Sequence, residues 1–146
     1  MSEAASSGAI PSPRVFPKDF PLARLVGFQM ISQADGKAVA ELQAGPQHAN
    51  PMGTLHGGVL CDVADSAMGF AFGSTLQPGE SFTTLELKIN FHRPVWDALL
   101  RAEAEVVTRG RTVGMVECRV IDDKGRLVAS ATSTCLVLSG DAAKNR

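Results

Sequence analysis

From Phe82 to Arg93, Leu85, Leu87, Ile89 and Phe91 alternate with Thr84, Glu86, Lys88, Asn90 and His92. That period of two gives a β-strand one dry face and one wet face. Three further runs, Leu99 to Thr108, Thr112 to Ile121 and Arg126 to Leu138, read as strands. The turn compositions Arg109-Gly110-Arg111 and Asp122-Asp123-Lys124-Gly125 separate them, so a four-strand meander is expected in the second half. Upstream, Phe20 to Val26 predicts a short helix with Pro21 in its first turn, where a missing N–H costs nothing. Two short strands follow around the hairpin signal Asp35-Gly36. Between these halves lies the apolar segment Val59 to Phe72, interrupted by Asp62 and Asp65, which reads as one long helix. The fold class is therefore α+β: an antiparallel sheet with a single helix to cover it.

A chain of 146 residues fits one core. The domain is expected over 17–139, with loose tails at 1–16, rich in Ser, Ala, Gly and Pro, and at 140–146. Net charge is −1 with 20% charged residues of both signs, so nucleic acid and membrane surfaces are not expected partners. Cys61, Cys118 and Cys135 are odd in number and sit among apolar neighbours, the pattern of reduced thiols in a cytoplasmic protein. Neither a signal peptide nor a membrane span is read.

Chemistry concentrates in Asn50-Pro51-Met52-Gly53-Thr54-Leu55-His56-Gly57-Gly58 and the helix that follows it. At about 100° per residue, Val59, Leu60, Val63, Ala64, Ala67, Phe70 and Ala71 share the arc that must face the sheet. Asp62, Asp65, Ser66 and Gly69 share the other side, with Cys61 and Met68 beside them. A helix this apolar is expected to be buried on most of its surface, which sets Asp65 apart from a solvated carboxylate. The plainer reading makes Asp62 and Asp65 the outer face of a helix lying on a sheet. His56 and Asp65, roughly two and a half turns apart, point to opposite sides; if both serve one site, two copies of the chain must build it. Gly57 and Gly58 cost about 1 kcal/mol each relative to Ala inside a helix. Their presence at its start means either that a ligand approaches the backbone there or that the helix packs closely on a strand. Free first-turn N–H groups can stabilise an oxygen that gains charge. His56 is either part of that site or a helix-start His satisfied by backbone.

No Ser-His-Asp set, Gly-x-Ser-x-Gly elbow, zinc spacing or Gly-rich nucleotide loop is present, and no metal or cofactor is expected.

Asn50, Gly53-Thr54-Leu55-His56-Gly57-Gly58, Asp65, the strand Thr84 to Phe91 ending in Arg93-Pro94, and Gly110-Arg111-Thr112 together resemble the hotdog-fold acyl-CoA thioesterases of the phenylacetate-degradation (PaaI-like) type. The resemblance runs from about Leu22 to Leu138. It implies a curved antiparallel sheet wrapped around one central helix, paired edge to edge, usually as a dimer of dimers. It also implies an acyl-CoA or aryl-CoA substrate split at a site shared by two subunits. Carried over, Gly57 offers its backbone N–H to the thioester carbonyl, and His56 and Asn50 place substrate or water. Asp65 of the other subunit acts as nucleophile or general base, and Thr84, or Thr83 if the register slips by one, orders water. Gly110, Arg111, Thr112 and Arg93 meet the coenzyme A moiety. No Glu lies between Val59 and Phe72, which matches the Asp-type branch. A non-catalytic acyl-CoA-binding or sensing protein of the same fold, and a hydroxyacyl-thioester dehydratase, are the alternatives. Met68, Phe70, Phe72 and Leu76 read as core or as walls of an acyl pocket.

Overall fold

The computed structural model describes residues 14–146. A short helix α1 (Pro21–Val26) leads into β1 (Phe28–Ala34) and β2 (Lys37–Ala44), then the long helix α2 (Gly57–Gly73). Four long strands follow: β3 (Ser81–Phe91), β4 (Ala98–Arg109), β5 (Val113–Asp122) and β6 (Leu127–Leu138). The β1–β2 turn is built on Asp35 and Gly36 at φ 52° and 75°, the left-handed pair that matches the twist of a two-residue hairpin. Among the described residues, no helix is long and apolar enough to cross a membrane.

The six strands form one antiparallel sheet in the order β1-β2-β4-β5-β6-β3. The expected meander therefore begins only at β4, because β3 pairs with β6 at the far edge. The reason lies in the connection after β3. Pro94 has no N–H to continue a ladder, and the buried Val95 accepts a hydrogen bond from Leu55 N–H at 2.7 Å. This crosses the chain over the start of α2 before β4 begins beside β2.

The sheet covers one side of α2 with Leu60, Val63, Ala64, Ala67, Ala71 and Phe72 buried beneath it. Each large apolar side chain so buried contributes roughly 1.5–3 kcal/mol. Met68, Phe70, Phe72 and Leu76 all belong to this core. The expected tail 1–16 falls largely on residues outside those described. Phe16, however, lies on the domain: its ring is 5.6 Å from that of Phe70 and 6.3 Å from that of Phe82. Its backbone exchanges two hydrogen bonds with the Gln33 side chain. At the other end, Gly140–Ala143 form a 3-10 turn, and the Arg14 guanidinium donates to the Arg146 carbonyl at 2.9 Å.

One irregularity in β3 decides what the strand presents. Thr84 lies opposite Cys135 and Glu86 opposite Thr134, so Leu85 is an extra residue without a partner. Such a bulge reverses the alternation across it. Phe82 and Thr84 thus share the helix-facing side with Leu87, Ile89 and Phe91. Thr83 instead joins Glu86, Lys88 and Asn90 on the outer side. Uninterrupted alternation had put Thr84 on the polar face and Leu85 in the core; the bulge corrects both, and Leu85 is 57% exposed.

Candidate functional site

The loop before α2 is closed by its own asparagine. Asn50 Oδ1 accepts from Met52 N–H at 2.9 Å and Thr54 N–H at 3.2 Å, while its Nδ2 donates to Thr54 Oγ1 at 2.9 Å. The Asn50 and Thr54 backbones bond at 2.7 Å, and Gly53, at φ 90°, makes the reversal. Outside the loop, His56 N–H donates to the carbonyl of His48 at 2.8 Å. His48 itself is buried. Its Nδ1 accepts from Gly45 N–H at 3.2 Å and its Nε2 meets the Val26 carbonyl at 2.6 Å, which makes Nε2 the protonated nitrogen. His48 thus anchors the approach to α2, a role the sequence reading missed because a lone His carries no spacing signal.

His56 is the N-cap: its Nδ1 accepts from Gly58 N–H at 2.9 Å. The imidazole does satisfy the helix start, and its other nitrogen stays exposed. Gly57 follows as the first helical residue, and its N–H has no acceptor among the described residues. With no acidic residue in the first turn, the positive end of the helix dipole is unfilled. A Cβ at Gly57 would stand 2.7 Å from Phe91 Cζ, so close packing on the end of β3 is part of why glycine stands there. Asn50, Thr54, Leu55, Gly57, Leu60 and Phe91 line a groove of about 360 Å³, with His92, Arg93, Pro94 and Val95.

Asp65 corrects the expectation of burial: in the single chain it is exposed. The sheet covers only the opposite side of α2, leaving Asp62, Asp65, Ser66 and Gly69 on the uncovered side. Protein nevertheless crowds one side of the carboxyl. That desolvation, followed by the charge of Asp62, raises its pKa. Asp65 also lies close enough to Cys135 for its charge to act on that thiol. Thr84 Oγ1 is 3.9 Å from Cys135 Sγ, and burial of that thiol raises its pKa, with the Asp65 charge adding to the rise. Thr83, on the other face, accepts from the Arg146 guanidinium at 3.4 Å.

The predicted residues therefore form two groups in one chain. Asn50, His56, Gly57 and Arg93 gather at the start of α2, and Asp65 and Thr84 at its middle. Gly57 and Asp65 are separated by about 12 Å along the helix axis at 1.5 Å per residue, too far for one carbonyl to touch both. Gly110, Arg111 and Thr112 do not reach the groove but lie at the Thr84 end of the sheet, since Thr84 and Gly114 both lie opposite Cys135. Their turn abuts Leu136 of β6, whereas Phe91 lies opposite Ala129, about 23 Å away at roughly 3.3 Å per residue. Among the described residues, no three His, Cys, Asp or Glu side chains converge as metal ligands would.

Residues 52–129 match the family model of the Thioesterase superfamily. The chain is 28% identical over 116 residues to the 1,4-dihydroxy-2-naphthoyl-CoA hydrolase of Listeria monocytogenes, covering 80% of this chain and 94% of that one. It is 29% identical over 108 residues to the acyl-coenzyme A thioesterase PaaI of Escherichia coli, covering 73% and 75%. Its fold superposes with TM-score 0.70 on a hypothetical thioesterase protein of Streptococcus pneumoniae solved with coenzyme A, at 27% identity, covering 77% of this chain and 86% of that one.

Proposed function

We propose, for a chain that belongs to the thioesterase superfamily and has the PaaI-like hotdog fold, that it hydrolyses an acyl-CoA or aryl-CoA thioester at a site shared by two subunits. The observation that carries this reading is the separation of an unfilled N–H at Gly57 from an exposed carboxylate of raised pKa at Asp65 on one helix. Two copies paired along β3 bring one subunit's helix start against the other's mid-helix acid. β3 is the edge strand of the sheet, and its unpaired ladder edge is the surface for that pairing.

In this mechanism the thioester carbonyl accepts a hydrogen bond from Gly57 N–H. Asp65 of the other subunit, held near Thr84, removes a proton from a water whose oxygen adds to the carbonyl carbon. The route is written with Asp65 as general base; direct attack by the same carboxylate is the other route, and both need its ionised form. The tetrahedral oxyanion stays on Gly57 N–H; one such donor is worth about 2.7–4 kcal/mol in acyl transfer. Collapse breaks the C–S bond, and the proton held by Asp65 passes to the leaving sulfur, giving acid and free coenzyme A. His56 and Asn50 act here by setting the position of Gly57. Arg93, on the groove's rim, meets the phosphates of coenzyme A, and Arg111 with Gly110 and Thr112 does so from the end of the other subunit. The partners are therefore the CoA thioester and further copies of this chain, as a dimer or dimer of dimers; the site is cytoplasmic and uses no cofactor.

The deciding measurement is thiol release across short-chain, long-chain and aryl-CoA substrates. Turnover on at least one class is expected; saturable binding to all with no thiol released would make the chain a sensor instead. Within the mechanism, Thr84→Val is expected to lower kcat by about 10- to 100-fold, less than the roughly 10²–10³ of a lost oxyanion donor because Thr84 acts through the water, whereas Thr83→Val leaves it unchanged. Equal effects of the two would refute the role of the bulge.

A further inference from the structure

Phe91 is the last residue of β3, and the tip of its ring stands where a side chain at Gly57 would go. Cζ, Cε2 and Cε1 lie 2.7, 3.1 and 3.2 Å from that Cβ position. The rest of the ring is open, at 54% exposure, and forms a wall of the groove that holds Asn50, Leu60 and Arg93. The half-buried Gly57 thus has a donor without an acceptor among the described residues and an aromatic edge packed where its side chain would stand. A peptide N–H kept from water needs less reorganisation to bind a developing oxyanion and acts in a lower local dielectric.

We propose that Phe91 is a positioning residue for the thioester: its ring keeps water off the Gly57 N–H and fixes where the carbonyl lies against it. This rests on the thioesterase reading above, and it gives the glycine a second duty. Any side chain at Gly57 would push the ring aside, so Gly57→Ala, which keeps its N–H, and Phe91→Ala remove the same ring from the same place.

The test pairs activity with a readout independent of it. Phe91→Ala and Gly57→Ala are each expected to lower kcat about tenfold, with KM changed far less, as for an interaction realised in the transition state. The double variant should be no worse than either single, since changes acting through one element are not additive. Phe91→Leu, which still fills the space, should restore most of the activity. Separately, nuclear magnetic resonance on the intact protein should show faster solvent exchange of the Gly57 amide in Phe91→Ala. A multiplied loss of about a hundredfold in the double variant, or an unchanged Gly57 exchange rate, overturns the proposal. If the wild type hydrolyses no thioester, the parent reading fails on its own, while the exchange rate still decides whether the ring shields the amide.

Discussion

Asp65→Asn is expected to cut hydrolysis by about 10²–10⁴-fold, the usual value of a positioned general base, while making the fold more stable at neutral pH. The two effects share a cause. Crowding by protein and the neighbouring Asp62 charge raise the Asp65 pKa, so the folded state disfavours the ionised carboxylate. By linkage, a carboxyl whose folded pKa exceeds its unfolded value binds more protons when folded, so its ionisation destabilises. The penalty is absent below the ordinary value of 3.8 and complete above the raised folded value. The melting temperature of Asp65→Asn should therefore match that of the wild type in acid and exceed it at neutral pH. The same titration should appear in the wild-type rate, with kcat rising with pH through the raised Asp65 pKa as the base form appears. A variant that folds and hydrolyses normally would end the mechanism. Single turnovers in ¹⁸O-water distinguish base from nucleophile: the base route labels only the released acid, whereas direct attack leaves label in the Asp65 carboxyl.

Mixing two dead variants is expected to restore activity. Gly57→Pro deletes the proposed donor at the first helical position, where proline is tolerated, and the preceding His56, at φ −64° and ψ 130°, already has the extended conformation proline requires. The half-exposed Phe91 ring can swing away from the new ring. Alone, this variant should lose about 10²–10³-fold in kcat. When Gly57→Pro and Asp65→Asn chains are refolded together, half the dimers are mixed. Each mixed dimer holds one site with both groups intact, so activity per chain should return to about a quarter of wild type for random two-fold pairing. No recovery above either parent, with mixed dimers present, would place both groups of each site in one chain and sink the composite reading.

Much of the architecture was legible because it follows from local pattern. The Asp35-Gly36 hairpin, the limits of α2 and the stripe holding Asp62, Asp65, Ser66 and Gly69 all come from periodicities that need no distant partner. The order of the sheet was not legible, since pairing β3 with β6 depends on where the Arg93–Asp97 connection travels, and turn chemistry does not encode that path. Nor was the exposure of Asp65. The apolar content of α2 reports how much surface can be covered, not which side a single sheet covers. Thr83 and Thr84 were ambiguous for a sharper reason: alternation looks the same on both sides of an inserted residue, and nothing in Thr-Thr-Leu-Glu marks where the ladder skips. Phe91 was taken as one more residue of an apolar face, although its place just before Arg93-Pro94, at a strand end beside a helix start, was the available clue.

The unpartnered Leu85 makes the placement of Thr84 a matter of counting rather than of chemical identity. Between Thr84 and Phe91 the strand carries an odd surplus of one, and parity alone keeps the hydroxyl and the ring on the same side. Substitutions that preserve length leave that parity alone, however much they change the side chains. Loss or gain of one residue inverts it and turns Thr84 away from Asp65 without altering either residue. Insertions of two are neutral to it. In this strand, chain length carries information of the same rank as the residues it positions.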